Sequence, residues 1–388
     1  MIEENISTQE QPSELKKPIR TILSIPLAVI CLVLTVALLS TLLSHVGTDA
    51  NVSQSAVSIM DKFDQFVTNE LMSKLSDFVD VERVFWLNDN DQVAPEPNQS
   101  AFGETDDPAT LQWLLDDAAD ILDGQETLFT TETQIIPGSV VSYYLDETIF
   151  AVAWKQAMHG CVYTFSEVKI AHPTQFRRFL SEGQYGSGVL HTTSEMAASV
   201  NAVVASAGDY YGYRGVGVVV TNGTIYQNKP YTLEICFIDD QGDLLFVNGA
   251  DLAAEGATEQ YIQENNVRFS ICFGPVLLRD GKYPGKSNYP LGEINGLYSR
   301  SALCQLDKLH YVVATANMEP GYPNVPNLRT FANSLASQGI QTAYTLDGGQ
   351  TATIVMNDEV FNTVSYGAER DITDIIYFAT ALPDNLSK

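Results

Sequence analysis

The chain has 388 residues, 45% of them hydrophobic, enough for one large domain or two ordinary ones with extensions. Its 48 acidic and 21 basic residues leave a net charge of −27, which argues against nucleic acid as a partner, because phosphate backbones are held by Lys and Arg. An anionic substrate must find a local basic pocket inside a repulsive overall field.

Residues 21–43 (TILSIPLAVICLVLTVALLSTLL) run for 23 positions without a charge, and about 20 apolar residues suffice to span a bilayer as a helix. Lys16, Lys17 and Arg20 precede the run, and the next basic residue is Lys62. The positive-inside rule then makes 1–20 a cytoplasmic tail, 21–43 a single-pass anchor in the cell membrane, and the remainder extracellular. A cleaved signal peptide has a shorter apolar region, and no small-x-small site follows Leu43, so a retained anchor is expected. Met60, Phe63, Val67, Leu71, Leu75 and Phe78 recur at helical spacing, which predicts a stalk helix that either packs onto the main domain or self-associates.

Leu87 to Thr105 is polar and carries Pro95 and Pro97, the texture of a linker. Asp107-Pro108 then reads as an N-cap with proline at the first helical position. Leu111, Leu114, Leu115, Ala118, Ile121 and Leu122 share one face of the helix, and Gly124 ends it. Asp116, Asp117, Asp120 and Asp123 form a solvated face, without the turn-forming spacing of a calcium loop. Residues 44–138 are therefore expected to be helical stalk and acidic linker, with the main domain at 139–388.

From about Ser139 strands dominate. Val216–Val220, Thr232–Ile238, Leu244–Val247, Phe269–Phe273 and Tyr311–Ala314 are short β-branched or aromatic runs, and Asn222-Gly223 and Asp280-Gly281 are hairpin signals. Thr192-x-x-Glu195 is a capping box opening a helix with Met196, Val200 and Val203 inward. Asn327 can cap another, with Leu328, Phe331, Ala332, Leu335 and Ala336 on one face and Gly339 at its end. Strands outnumber helices and do not alternate with them. This predicts an α+β fold: a mixed β-sheet core with a few packed helices, preceded by the transmembrane helix and stalk.

Cys161, Cys236, Cys272 and Cys304 allow three disulfide pairings or none, and three of the four sit in apolar, strand-like runs typical of buried thiols. No CxxC, HxxxH, HExxH, GxSxG, P-loop or dinucleotide fingerprint occurs. What remains is a set of polar residues at strand ends. These are Gly208-Asp209-Tyr210-Tyr211-Gly212, Phe273 to Gly281, Arg300-Ser301-Ala302, Asn317, Thr345-Leu-Asp-Gly-Gly-Gln350, Asn362, and Ser365-Tyr-Gly-Ala-Glu-Arg370. An apolar run that delivers Asp347 onto two glycines suits a carboxylate beside exposed N–H groups, since glycine lets main chain approach a ligand closely.

The order and spacing of these segments resemble the phosphodiester glycosidase family over roughly Glu167 to Leu382. That family includes the lysosomal uncovering enzyme and bacterial relatives linked to exopolysaccharides. Two positions depart from the pattern: Ala207 stands where Asn is usual, and Gln350 and Thr351 follow Asp-Gly-Gly where Gly and Ser are common. The resemblance implies a hydrolase of a glycosyl phosphodiester in cell-surface polysaccharide or a related glycoconjugate. Asp347 and Asp209 would be the acid/base or charge-stabilising carboxylates, and Arg300 and Arg370 would hold phosphate. Gly208, Gly348, Gly349, Gln350, Asn317, Asn362 and Glu369 would line the substrate site. The physical case is that a phosphate monoester leaves readily once its growing charge is neutralised, which guanidinium does bidentately. A carboxylate can stabilise oxocarbenium character or activate water. The same pocket would serve a non-catalytic glycan-phosphate binding module of an envelope assembly. No cofactor is implied, and no ligand spacing demands a divalent cation.

Overall fold

A computed structural model describes residues 92–285, 289–290 and 292–382, all within one compact unit spanning Asp80–Lys388. The expected cytoplasmic tail, anchor and stalk helix lie outside the described residues. Among the described residues, no helix is long and apolar enough to cross a membrane.

The expected α+β core is present, with antiparallel strands throughout. An eight-stranded sheet runs in the order Phe102–Thr105, Val141–Leu145, Ile149–Met158, Cys161–Ile170, His310–Asn317, Arg300–Asp307, Thr342–Leu346, Val276–Leu278. A five-stranded sheet runs Glu359–Val360, Ile354–Met356, Val204–Ala207, Asp374–Phe378, Phe176–Leu180. Leu244–Asn248, Glu234–Ile238 and Phe269–Ile271 form a third sheet, and Gly217–Thr221 pairs with Thr224–Lys229 across the Asn222-Gly223 turn. Both turn residues have positive φ, as a tight twisted hairpin needs.

Period-two alternation builds the layers. On the strand His310–Asn317, Val312, Ala314 and Ala316 pack with Leu114, Phe331 and Leu335 of the helices Pro108–Asp117 and Leu328–Ser337. Tyr311 and Val313 pack instead with Phe176, Val204, Ile354, Ile376 and Phe378 of the five-stranded sheet. The far face of that sheet, Ala205, Ala207, Ile375 and Tyr377, meets Met196, Ala197 and Val200 of the helix Thr193–Ser199 and its C-cap. The result is helix, sheet, sheet, helix.

The expected capping interactions form: Asp107 accepts from Thr110 N, Thr192 makes a full capping box with Glu195, and Asn327 accepts from Thr330 N. Three expectations change. The helix after Asp107 breaks at Ala118 (ψ −4°) into Pro108–Asp117 and Ala119–Leu122, with left-handed Asp123 ahead of Gly124. The segment read as linker to Thr105 ends in the edge strand Phe102–Thr105, which pairs with Val141–Leu145. The main body therefore begins before residue 139, because the helix after Asp107 buries Leu111, Leu114 and Leu122 in its core. All four described cysteines are buried free thiols.

Candidate active site

The two sheets deliver their polar ends to one place. Asp374 opens the strand Asp374–Phe378, and Arg178 lies on Phe176–Leu180; alternation puts both on the inner face with Ile376, Phe378 and Phe176. Arg178 Nε donates to Asp374 Oδ2 at 2.7 Å, and its Nη1 donates to Ser270 O. Asp209 follows the strand Val204–Ala207, and its N–H donates to Asp374 Oδ1 at 3.0 Å. Gly208 is required here, since a Cβ would lie 2.5 Å from Asp374 Oδ2. Burial and the neighbouring Asp209 raise the Asp374 carboxyl to about 6, although Arg178 opposes the shift.

Asp209 is itself fully engaged. Oδ1 accepts from Tyr210 N (2.6 Å) and from Arg214 Nη2 (2.9 Å), and Oδ2 accepts from Cys272 N (2.9 Å), with Arg178 Nη2 at 3.8 Å. A carboxylate so held fixes the position of Arg214. Arg214 was not singled out from sequence. Its side chain is 8% exposed, and its guanidinium lies 6.0 Å from the Tyr210 ring and 5.6 Å from the Phe273 ring. Burial pulls its pKa down, but Asp209, with Cys272 and Tyr344, raises it on balance.

Across Tyr210 stands the second pair. Asp347 leaves the strand Thr342–Leu346, and its Oδ2 accepts from Arg370 Nη2 at 2.7 Å. Oδ1 accepts from Gly348 N at 2.9 Å. Burial raises the Asp347 carboxyl above the usual carboxylate range, while Arg370, the Gly348 N–H and Arg214 pull against the rise. Asp347 and Arg370 side chains are 11% and 35% exposed, so the pair reaches solvent. The Arg370 guanidinium sits 5.5 Å from Tyr210 and 5.2 Å from Tyr213, two rings stacked 4.9 Å apart. Gly348 is pinned against the strand Arg300–Asp307: a Cβ would meet Ser299 O at 2.5 Å, and Gly349 N donates to the same oxygen at 2.9 Å. Gly349 has φ +66° and opens the turn Gly349–Thr351.

The remaining expected residues fall around this cluster in different roles. Arg300 adjoins Gly348 through its backbone, but its buried head group donates to Gly296 O and Pro326 O and lies 5.9 Å from the Tyr298 ring. Burial lowers its pKa to about 10, which leaves it charged at neutral pH, and it has no carboxylate partner among the described residues. Asn317 and Asn362 bond each other at 3.2 Å. Asn362 also accepts from Ile354 N (2.7 Å) and donates to Ala352 O (2.7 Å), so the buried amides brace the chain just after the Gly349 turn. Glu369 accepts from Ser194 N and Oγ at the helix Thr193–Ser199. Gln350 Nε2 donates to Ala368 O at 3.3 Å, tying the two glycine-containing turns together.

The sequence signals that could have pointed to the missed residues are charges in otherwise apolar strands, Arg178 in Phe-Arg-Arg-Phe-Leu and Asp374 in Asp-Ile-Ile-Tyr-Phe, and Arg214 between aromatic and glycine residues. Among the described residues, no group of three or more His, Cys, Asp or Glu could hold a metal ion. A groove of 590 Å³ lined by Phe102, Lys155 and Phe361 contains none of the residues of this cluster. Charge chemistry, not cleft size, marks the site.

The fold is thus an antiparallel α+β domain, built around two larger packed sheets, with interlocked carboxylate–guanidinium pairs at their strand ends. Residues 195–379 match the family model for phosphodiester glycosidase. Arg214, Arg300, Asp347, Arg370 and Asp374 lie inside the match, and Arg178 lies before it. Solved structures to which the chain is similar include three from different organisms. One is the zebrafish N-acetylglucosamine-1-phosphodiester alpha-N-acetylglucosaminidase catalytic domain auto-inhibited by its pro-peptide (18% identity, TM-score 0.47, 67% of this chain and 92% of that one). A hypothetical protein from Synechocystis shares 13% identity at TM-score 0.47, over 60% of this chain and 62% of that one. A putative exported protein from Burkholderia pseudomallei shares 12% identity at TM-score 0.40, over 57% and 74%. No curated protein matches the chain.

Proposed function

We propose that the chain is a membrane-anchored hydrolase, facing the cell exterior, that cleaves glycosyl phosphodiesters in surface polysaccharide or a related glycoconjugate. The observation that carries this reading is Asp347. It is a largely buried carboxylate, held by a half-exposed guanidinium and by the first N–H of a glycine turn, and open to solvent on one side. The phosphodiester glycosidase match over 195–379 supports the substrate class. The charge-free run 21–43, with Lys16, Lys17 and Arg20 just before it and no Lys or Arg after it until Lys62, supports the anchor and its orientation.

The chemistry follows from the groups present. The diester carries one negative charge, and Arg370 can meet its oxygens by charge-assisted hydrogen bonds. When the anomeric C–O bond breaks, the bonding electrons leave with the phosphate monoester, whose added charge the guanidinium neutralises. Asp347, ionised, faces the electron-poor anomeric carbon or takes a proton from attacking water. Asp374, Asp209 and Arg178 hold the backdrop rigid, and Asn317 and Asn362 fix the turn that carries Gly348 and Gly349.

The test is incubation of the purified chain with a sugar 1-(alkyl phosphate). Release of free sugar that Asp347→Asn abolishes supports the hydrolase. Saturable binding with no product would instead make the site a glycan-phosphate binding module, a reading that Ala207 in place of the usual Asn and the full engagement of Asp209 favour.

A further inference from the structure

The 590 Å³ groove lies where both larger sheets run out. It is lined by the edge strand Phe102–Thr105 of the eight-stranded sheet and by the edge strand Glu359–Val360 of the five-stranded sheet. It stands apart from the Asp347–Arg370 pair but reaches the support of that pair. Phe361 lines the groove and directly precedes Asn362. Lys155 lines it too and pairs at 3.1 Å with Glu319, two residues past Asn317, with the half-exposed Met318 between. The groove therefore ends against the two amides that brace the chain after Gly349.

Its lining discriminates among ligand classes. Lys155 is the one basic side chain in it, Glu319 already meets that charge, and the exposed Glu104 and Glu359 add two negative charges, which disfavours an anion. A wholly apolar ligand would strip water from these carboxylates and from Gln99, Ser139 and Asn357 without replacing its hydrogen bonds. A peptide that adds as a strand needs a long free edge. These edges are four and two residues long and each carries a glutamate, features that discourage strand addition. A neutral polyhydroxyl ligand fits all of this. Phe102 and Phe361 pack only partly against the core and turn aromatic surface to the groove, where the electron-rich ring faces suit the C–H faces of sugars. The amides of Gln99 and Asn357 both donate and accept, and the two glutamates accept from hydroxyls.

We propose that this groove binds a short neutral stretch of oligosaccharide, with sugar rings laid against Phe102 and Phe361. It holds the glycan on one side of the scissile phosphodiester while Asp347 and Arg370 act on the bond, so that binding energy remote from the reacting bond favours longer substrates. The groove stands on its own lining; its service to the reaction rests on the reading of the chain as a glycosyl phosphodiester hydrolase.

The experiment titrates the full chain by calorimetry with neutral tetrasaccharides of glucose, galactose, mannose and N-acetylglucosamine. Phe102→Ala removes an aromatic wall, and Val140→Arg fills the groove from an exposed lining position. Val189→Arg, at an exposed valine outside the groove, makes the same change elsewhere. The expected result is that at least one tetrasaccharide binds, with affinity reduced about tenfold or more in Phe102→Ala and Val140→Arg and unchanged in Val189→Arg. If Phe102→Ala fails to melt cooperatively, Val140→Arg decides. No tetrasaccharide bound by the wild type, or wild-type affinity in a natively melting Val140→Arg, overturns the groove as a glycan site. Binding of an alternating Val-Lys heptapeptide that Val140→Arg abolishes, with no tetrasaccharide bound, would make it a strand-addition site instead. Groove-dependent tetrasaccharide binding without release of sugar from a sugar 1-(methyl phosphate) leaves the groove standing and removes the hydrolase reading. Release of sugar from that diester by a chain that binds no tetrasaccharide does the reverse.

Discussion

Replacing Gly348 by alanine tests the geometry of the site with one methyl group. The backbone there is extended (φ −119°, ψ −160°), which alanine accepts, so the penalty is steric alone. The new Cβ would lie 2.5 Å from Ser299 O, against at least 3.4 Å for ordinary contact, so the turn must retreat by 0.9 Å. That retreat breaks the Gly349 N to Ser299 O bond of 2.9 Å and pulls the carrier of Asp347 off the strand Arg300–Asp307. Overpacking costs about 1–3 kcal/mol, and the lost hydrogen bond adds about 1 kcal/mol. A displacement near 1 Å costs about 10²-fold in rate. Gly349→Ala is the contrast. No atom lies within 4 Å of its Cβ, so its cost is the left-handed backbone at φ +66°, about 1–2 kcal/mol, without the steric push on Asp347. Thermal melting and steady-state release of sugar from a sugar 1-phosphodiester, run on both variants, read the two effects. Wild-type stability and rate in Gly348→Ala would refute the close-packed turn.

Asp347→Asn should lower kcat/KM by about 10²-fold or more while the fold melts cooperatively, since the amide keeps the shape but not the charge. Because burial raises the Asp347 carboxyl and the proposed role needs it ionised, wild-type kcat/KM should climb with pH along an acid limb above the ordinary aspartate range; a pH-independent profile from pH 4 to 7 argues against that role. Asp374, raised to about 6, binds its proton more tightly folded than unfolded. It therefore favours the folded state below about pH 4, and that contribution is lost as pH rises through 6. Melting curves from pH 4 to 7 should show this fall, and Asp374→Asn should flatten it; an unchanged slope would contradict the assignment. Glu369→Ala should cost about 1 kcal/mol of stability through loss of the Ser194 bonds, with little change in KM, whereas a large KM rise would return Glu369 to the sugar.

The parts legible from sequence are those set by local rules. Asp107, Thr192 and Asn327 announced helix starts because capping needs only near neighbours, and Asn222-Gly223 announced its hairpin by its demand for positive φ. The Asp347-Gly-Gly corner was legible because an apolar strand fixes where the acid emerges. Partnerships across the chain were not. Arg214 owes its role to Asp209, Tyr210 and Phe273, and its neighbour in space, Arg370, is far away in sequence. Asn317 and Asn362 look like sugar-binding amides at strand ends, but an amide bonds backbone carbonyls equally well, and here both brace main chain. The strand Phe102–Thr105 is four residues long and includes Gly103, too short for alternation to outweigh two preceding prolines.

The most direct measurement is phosphorus NMR of a sugar 1-(methyl phosphate) incubated with the chain. The account predicts that the diester resonance gives way to a monoester while free sugar accumulates, and that Asp347→Asn stops the conversion. A diester signal that persists at saturating occupancy of the site would contradict it.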